Sequence, residues 1–215
     1  MYEKGVQTRN LIYSTAKTLF YRQGYEKTKI KSIVEASDVP IGLFTYYFKT
    51  KDKIVQRIYN DFHTRISLRI TEANIQGADN AILRHVVLSW IYYDIILSDA
   101  QNSRFYYEIL TKTSNYRYIV KFANQVYRRY TEEFRIYLTD QEFENILFLD
   151  FGGRREFFLQ YFEKNQRDSI DDIIFLLNGI VPRMMGIDQN TVTKLLYQGI
   201  AVAKTIPHDD IRFLI

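Results

Sequence analysis

The chain has 215 residues, of which 25% are charged, with three prolines, nine glycines, no cysteine and a formal net charge of +4. Without cysteine there is no disulfide framework, no thiolate metal site and no thiol nucleophile, and we find neither a signal-peptide core nor an apolar run of the ~18–20 residues that a membrane span needs. We therefore expect a soluble, cytoplasmic protein, and the long periodic stretches with few helix breakers predict an all-α fold.

Positive charge is concentrated at the N-terminal end. Residues 1–65 carry 12 lysines and arginines against 6 acidic residues, whereas the remaining 150 residues carry 17 against 19. A basic end on a nearly neutral body is typical of a protein that docks one face on phosphates. A solvated basic surface without a partner is the alternative.

The first helix is predicted over residues 7–23. Ile12, Ala16, Leu19 and Phe20 recur at helical spacing and form its inner stripe. Gly24 follows the stripe and is a typical helix C-terminal stop. We expect this helix to brace the two helices that come next.

Residues 28–51 contain two short helices separated by a tight turn. Thr28 is a plausible N-cap for a helix over 29–36, and 36–38 (Ala-Ser-Asp) is the turn. The second helix, over 40–46, begins at Pro40, where a missing N–H costs nothing. A long fourth helix is predicted from Lys51 to about residue 75. This order of helices is that of a helix-turn-helix that reads DNA.

The residues that fix this pattern share their spacing with a known family: Gly24, Thr28, Ile33, Val39, Gly42, Phe44, Tyr46-Tyr47-Phe48 and Lys51. Over about residues 7–67 the chain resembles the DNA-binding region of the TetR family of bacterial transcriptional regulators. It departs from the family pattern at Asp38, where the family usually has glycine, and at Thr45, where it usually has tyrosine. Aspartate adopts the left-handed conformation fairly cheaply. An αα-corner in an unrelated helical protein is the alternative.

The predicted DNA contacts lie in and around the two short helices: Thr28, Lys29, Lys31, Pro40, Ile41, Gly42, Leu43, Thr45, Tyr46, Tyr47, Lys49 and Lys51. The lysines are placed to meet phosphates, and the tyrosine hydroxyls can donate to phosphate or lie against sugar and base edges. The second helix has no Arg, Asn or Gln for bidentate base contacts. Sequence reading would then depend on thymine methyl groups and on DNA shape.

Residues 1–70 are predicted to form the DNA-binding domain, and residues 71–215 a helical C-terminal domain for effector binding and dimerisation. A break at 77–79 (Gly-Ala-Asp) separates them, and helices are predicted over 79–98, 101–113, 115–138 and 140–164. Two adjacent glycines, Gly152 and Gly153, predict a kink or a break in the last of these, which would make a hinge or a close helix crossing.

The family resemblance implies that this C-terminal bundle encloses an effector cavity. Aromatic and acidic residues near the apolar stripes are candidates for its lining: Trp90, Tyr93, Asp94, Tyr106, Glu108, Phe122, Tyr130 and Glu156. The effector would be a small hydrophobic or aromatic molecule, with a cationic one as an option because of the three acids. Plain core packing is the alternative for the aromatic residues, and exposure or pairing is the alternative for the acids.

Two further helices are predicted over 168–185 and 189–205, joined by a turn at Gly186. The resemblance implies that such a terminal pair packs on its twin as a four-helix dimer interface, with six candidate contacts: Ile173, Leu177, Val181, Leu195, Leu196 and Gly199. Burial against the protomer's own bundle is the alternative. The helix over 140–164 is a second candidate for the interface, in place of the first of this pair.

The function predicted from these features is a ligand-responsive repressor that binds a palindromic operator in duplex DNA as a homodimer and is released by a small molecule. A scaffold or architectural protein of the same fold, without an effector, is the alternative. Enzymatic activity is disfavoured because His63, His85 and His208 are scattered and no phosphate-cradling loop or nucleophile elbow occurs. We expect no cofactor, no metal and no membrane partner.

Overall fold

The computed structural model describes residues 2–74, 80–112, 118–166 and 168–215, and the side chains of all of these except 2 and 118–121. These residues form ten α-helices and no strand, which confirms the all-α prediction. The helices are α1 (Tyr2–Lys27), α2 (Ile30–Ala36), α3 (Ile41–Tyr47), α4 (Lys51–Glu72), α5 (Ala81–Leu97), α6 (Ala100–Thr111), α7 (Tyr118–Glu133), α8 (Asp140–Glu163), α9 (Ile170–Met184) and α10 (Gln189–Ala203).

Helix α1 begins earlier than predicted but is interrupted where the sequence indicated. Its start at residue 2 was missed because the residues before 7 carry no apolar stripe. Gly24 has φ 85° and ψ 170°, which are not helical angles, and this breaks the helix before its last turn. Ile12, Ala16 and Phe20 are fully buried and form the core against which α2 and α3 pack.

The helix-turn-helix follows the prediction closely. Asp38 takes the left-handed conformation with φ 50°, which is the conformation that the glycine usually present in the family supplies in this turn. The Ser37 hydroxyl donates to the Ile33 carbonyl at 2.7 Å and closes α2. Phe44 and Phe48 are both buried, with ring centroids 6.2 Å apart, which leaves the opposite face of α3 outside the core.

Helix α4 connects the helix-turn-helix to the C-terminal domain. The Thr50 side chain accepts a hydrogen bond from the Lys53 backbone N–H at 3.3 Å and caps its start. The apolar residues that recur at helical spacing along it are buried: Ile54, Val55, Ile58, Phe62 and Ile66. The helix ends at Glu72 rather than near residue 75, and the predicted break at 77–79 lies outside the described residues. The division at residue 70 stays a prediction.

Helix α5 lies at the centre of the C-terminal domain and packs against α4, α6, α7, α9 and α10. It is apolar on nearly all sides, as a helix surrounded by others must be. Gly199 of α10 permits the closest of these approaches, since a Cβ there would lie 2.6 Å from Val86 Cγ1. Within the described ranges no one helix combines the length and apolar character of a membrane span; α5 and α6 reach both only as a pair, which is bent by 109°.

Helix α8 is continuous through Gly152 and Gly153, so the break predicted there is wrong, while a kink, with its hinge or close helix crossing, stays a prediction. It begins with a capping box, in which the Thr139 and Glu142 side chains each bind the other's backbone N–H. Helix α7 ends at Glu133 rather than residue 138, because Arg135 adopts a positive φ of 52° that a helix cannot continue through.

The C-terminal segment after α10 folds back onto the junction of the two predicted domains, which the sequence did not indicate. The Phe213 ring is buried, with its centroid 4.9 Å from Phe62 of α4 and 5.6 Å from Phe105 of α6. Arg69 of α4 pairs with Asp210 at 2.7 Å. The segment therefore ties α10, α4 and α6 together.

Candidate DNA-binding surface and internal cavity

The outer face of α3 carries large side chains that the fold does not bury. Tyr46 is 76% exposed and Ile41 is 61% exposed, and Leu43 is exposed beside them. Gly42 adds a bare stretch of backbone, since a Cβ there would have no described atom within 4 Å. A short helix that presents apolar groups and a tyrosine to solvent, with its other side anchored by Phe44, is suited to contact another molecule.

The predicted basic and flanking residues are also at the surface, with exceptions described below. Lys29, Lys31, Pro40, Thr45 and Lys49 are exposed. The Lys31 pair with Glu35 is 3.8 Å long between two well-exposed groups, so it restrains the lysine little.

Tyr47 is half-buried. Its ring packs edge-on against Tyr46, with centroids 4.9 Å apart. We interpret Tyr47 as a support for Tyr46.

Thr28 and Lys51 do not face outward, and their assignment to the DNA surface is wrong. Thr28 is fully buried and its hydroxyl donates to the Gly24 carbonyl at 2.6 Å. The Lys51 ammonium donates to the carbonyls of Tyr25 and Thr28 at 2.8 and 2.5 Å and lies 4.0 Å from the Tyr25 ring centroid. Both side chains therefore satisfy carbonyls that the break in α1 leaves without helical partners, and the N-cap position of α2 belongs to Lys29.

The Lys51 contacts predict a stability role. Replacing Lys51 with alanine should lower the free energy of unfolding by about 1–3 kcal/mol, because two carbonyls lose a charged donor. Replacing the exposed Lys49 with alanine is the matched control and should leave stability unchanged. Urea unfolding curves of the two variants would measure this, and a Lys51→Ala protein with the wild-type midpoint would show that the contact is not structural.

A basic groove of about 520 Å³ lies next to α3, and the sequence analysis missed it. It is lined by residues of α1, of the turn after α3 and of α4: Arg9, Tyr47, Phe48, Lys49, Lys53, Gln56, Arg57, Asn60 and Asp61. Arg57 packs on the Tyr13 ring at 4.1 Å and donates to Asn10 at 3.1 Å, yet within the described residues its Nη1 is buried without a partner. Four cations in a concave surface form a site for phosphate oxygens.

The C-terminal domain contains a small cavity of about 60 Å³ where five helices meet. Its walls come from α4 (His63), α5 (His85, Leu88, Ser89, Tyr92, Tyr93), α6 (Tyr106), α7 (Phe122, Ala123, Tyr127) and α8 (Asp150, Phe151, Arg154). Aromatic walls with a few convergent polar groups are the usual composition of a ligand site.

A buried ion pair forms the α8 wall. Arg154 Nε donates to both carboxylate oxygens of Asp150 at 2.9 Å, and Tyr127 donates its hydroxyl to the same carboxylate at 2.7 Å. Arg154 Nη2 reaches out of the cavity to the Leu177 carbonyl of α9 at 2.7 Å. The two charges neutralise each other, and the pair ties α7, α8 and α9 together.

Two histidines face the cavity, and burial keeps both neutral at pH 7. Burial lowers the pKa of His63 to about 4 and that of His85 to about 3. His85 Nδ1 is bonded to the Tyr130 hydroxyl at 2.7 Å. His63 is sandwiched between the rings of Tyr92 and Phe122 at 5.1 and 4.3 Å, and no described residue hydrogen-bonds either of its buried nitrogens.

These pKa values predict that the protein loses stability in mild acid. As the pH is lowered from 6.5 to about 4.5, the unfolded chain binds protons on both histidines while the folded chain does not. The free energy of unfolding should therefore decrease by roughly 2–4 kcal/mol over this range. Melting temperatures measured across this window check it. A His63→Gln/His85→Gln variant should have a flatter profile, and one as steep as wild type would assign the loss to other groups.

Three of the predicted effector contacts line the cavity, namely Tyr93, Tyr106 and Phe122. Tyr130 lies behind the wall, bonded to His85. Trp90 donates instead to Asp171 at 2.8 Å, outside the cavity. The polar lining consists of His63, His85, Asp150 and Arg154, which the sequence did not predict. The one sequence signal for them was the i,i+4 spacing of Asp150 and Arg154 along α8.

The three acids predicted to meet a cationic effector lie elsewhere. Asp94 pairs with His208 at 3.0 Å, and Glu156 is exposed and bonded to Gln160. Glu108 of α6 accepts the backbone N–H of Glu26 at 2.8 Å beside the break in α1, where a side chain on Gly24 would collide with it. None of the three is among the residues that line the cavity, so this part of the prediction is wrong.

The predicted dimer contacts are mostly internal. Ile173, Leu177, Val181, Leu196 and Gly199 are all buried within the protomer, and Leu195 is half-buried. The five buried residues belong to the core, so their assignment to the interface is wrong, whereas that of the half-buried Leu195 stays a prediction. A helical stripe of apolar residues shows that a face is buried but not what buries it.

Comparison with known proteins agrees with this geometry. Residues 12–58 match the family described as bacterial regulatory proteins, tetR family. The chain is 28% identical over 112 residues to the probable HTH-type transcriptional regulator YttP of Bacillus subtilis, covering 49% of this chain and 52% of that protein. It is 30% identical over 73 residues to the uncharacterized HTH-type transcriptional regulator YdgC of the same organism, covering 34% and 37%. The chain thus spans about half or less of the length of these relatives.

Solved structures share the fold over almost the whole chain. RolR in complex with resorcinol has a TM-score of 0.65 at 15% identity, covering 97% of this chain and 99% of that one. TylP, a tetR regulator from Streptomyces fradiae, has a TM-score of 0.57 at 14% identity, covering 94% and 99%. The matched N-terminal region is therefore a helix-turn-helix of the tetR type within an all-α fold. By this match residues 12–58 belong to the TetR family of bacterial regulators, and the rest of the chain shares the fold of the solved structures.

Proposed function

We propose that the protein is a ligand-responsive repressor that acts in the bacterial cytoplasm, where it binds a palindromic operator as a homodimer and leaves it when a small molecule enters the C-terminal domain. The observation that carries this proposal is the exposed outer face of α3 beside the basic groove, within the region that matches the family. Helix α3 enters the major groove, and the lysines and arginines around it contact the flanking phosphates.

Base reading on this surface depends on apolar contacts. Ile41 and Leu43 present methyl groups at the exposed face of α3, where thymine methyls would meet them. Lys29 and Lys49 lie at the two ends of the helix-turn-helix, and the groove adds Arg9 and Lys53. This arrangement favours an A·T-containing half-site and a strong dependence of affinity on salt.

The apolar residues left exposed on α8 and α9 support a dimer. Phe148 and Leu149 of α8 are each 63% exposed, and Leu176 of α9 is exposed beside them. The adjacent Gly152 and Gly153 face open space in the described structure, so a partner helix can approach closely. Helices α8 and α9 pack on each other, and we propose that their free faces together form the dimer surface. The interface we propose therefore uses α8, with α9, and not the five buried residues first expected.

A charge placed in that surface should separate the dimer. Leu149→Glu is expected to shift the protein to a monomer, because each copy would bury an unpaired carboxylate in an apolar interface. Sedimentation velocity measures the change. Tyr137→Glu, at a position that is 96% exposed in the loop before α8, is the matched control and should stay dimeric. A dimeric Leu149→Glu protein would place the interface elsewhere.

Contacts around the cavity connect the ligand site with the helix-turn-helix and with the proposed dimer interface. His63 lies on α4, which continues from the helix-turn-helix, and Arg154 binds the backbone of α9 in the proposed interface. A ligand that prefers one arrangement of these helices shifts the spacing of the two α3 helices in the dimer. Its effect on DNA affinity cannot exceed its preference for that arrangement. RolR, of similar fold, has been solved with the small aromatic molecule resorcinol, and we propose a ligand of comparable size here.

A reporter assay tests the direction of control. A bacterial reporter whose promoter carries the protein's own selected site should fall in expression at least about fivefold when the protein is produced, and a variant that cannot bind DNA should have no effect. Higher expression with the wild-type protein would make it an activator. The cavity favours a ligand-responsive repressor over an architectural protein, for which a fully packed C-terminal domain is expected. His63, which has no hydrogen-bond partner among the described residues, favours the same choice.

A further inference from the structure

We propose that the effector is a small, neutral, hydroxyl-bearing aromatic molecule whose hydroxyl binds a ring nitrogen of His63 and whose ring uses space that rotation of Phe122 opens. This inference rests on the proposed ligand response and names the chemistry of the same cavity. It replaces the cationic effector that the sequence left open.

Charge balance in the cavity excludes an ionic ligand. The only carboxylate and the only guanidinium among its lining residues, Asp150 and Arg154, are bound to each other. Both histidines there are neutral, and the acids that would have met a cation lie elsewhere. A charged ligand would lose its hydration without gaining a counter-ion, which is costly in such a site.

The hydrogen-bonding capacity of His63 selects a hydroxyl. A neutral imidazole has one donor and one acceptor nitrogen. Within the described structure both His63 nitrogens are buried and unpartnered, on a ring that lines the cavity. A hydroxyl group donates to one kind of nitrogen or accepts from the other, whereas an aliphatic or plain aromatic ligand leaves both unsatisfied. Each buried polar group left unpaired costs free energy, so the site discriminates against ligands without a hydroxyl.

Space for the ring comes from Phe122. The cavity of about 60 Å³ is smaller than the ~150 Å³ that holds a benzene molecule. Phe122 also lines two open clefts of about 320 and 740 Å³. Rotation of its side chain into either cleft vacates a flat slot against His63, where the two rings now stack at 4.3 Å with an interplanar angle of 23°. A ligand ring can enter the opened space at the edge of His63, where its hydroxyl meets a ring nitrogen in the plane of the imidazole.

Calorimetric titration of the full-length protein with four probes tests the ligand class. Phenol should bind at least about tenfold tighter than toluene, which has the same shape without the hydroxyl, a ratio equivalent to ~1.4 kcal/mol. Benzoate and benzylammonium, which are charged, should bind at least about tenfold more weakly than phenol. Toluene binding as tightly as phenol, either ion binding most tightly, or no binding of any probe would overturn the proposal.

Two pairs of variants locate the effect. Phe122→Ala opens the slot and should tighten phenol binding, whereas Phe157→Ala, away from the cavity wall, should not. His63→Leu should reduce the preference for phenol over toluene to less than about threefold, and His63→Gln, which keeps a donor and an acceptor, should retain it. An unchanged preference in His63→Leu contradicts the assignment. A charged compound that releases the protein from DNA would end this inference while leaving the proposed function intact.

Discussion

Replacing Arg154 with leucine is expected to lower the free energy of unfolding by about 3–5 kcal/mol, the largest stability effect that we predict for one substitution. The change leaves the Asp150 carboxylate buried with only the Tyr127 hydroxyl as a partner, and the Leu177 carbonyl loses its donor. An uncompensated buried charge costs more than the lost pairing itself. The cavity wall and the contact between α8 and α9 would weaken together.

Urea unfolding of two variants separates these terms. Asp150→Leu/Arg154→Leu removes both charges and fills part of the space, so it should be more stable than Arg154→Leu alone. If the free energy of unfolding of Arg154→Leu lies within about 1 kcal/mol of the wild-type value, the ion pair does not have the structural role that its burial indicates.

Replacing Thr45 with glutamate is expected to weaken operator binding at least about 100-fold, which corresponds to ~2.7 kcal/mol. Thr45 is exposed on α3 between the apolar residues and Tyr46, and its hydroxyl bonds only to the Ile41 carbonyl of its own helix at 3.1 Å. Folding should therefore tolerate the substitution. A carboxylate at this position would face the phosphates and base edges of the major groove and repel them.

Thr45→Gln is the matched control, because glutamine has the size of glutamate without its charge. It should retain affinity within about tenfold, and both variants should melt at the wild-type temperature. Fluorescence anisotropy with a labelled operator measures the affinities at two salt concentrations. Equal affinity of the glutamate and wild-type proteins would remove α3 from the DNA surface.

The N-terminal part of the fold was predictable because its signals are local. Gly24 as a break and Asp38 in the turn each follow from neighbouring residues, and the structure confirms them. The wrong assignments there, Thr28 and Lys51, had the right chemistry for phosphate contact. Their contacts with the end of α1 depend on how α1 and α4 pack, which no spacing reveals.

The C-terminal site was less predictable because residues far apart in the chain form it. His63, His85 and Arg154 lie on three different helices and meet only after packing. The acids Asp94, Glu108 and Glu156 were chosen for their nearness to apolar stripes, yet each finds a partner outside the cavity. For the same reason Leu177 and Leu196, in strong apolar stripes, could not be assigned from sequence to a protomer core or to a dimer interface.

Selection of bound DNA from a random pool by the full-length protein is the most direct test of the central claim, that two copies of the α3 surface read one symmetric site. We expect an inverted repeat with A·T pairs in each half-site and half-site centres about 34–36 Å apart, or a multiple of that distance. A pool with no enriched sequence, or an enriched site without twofold symmetry, would contradict it.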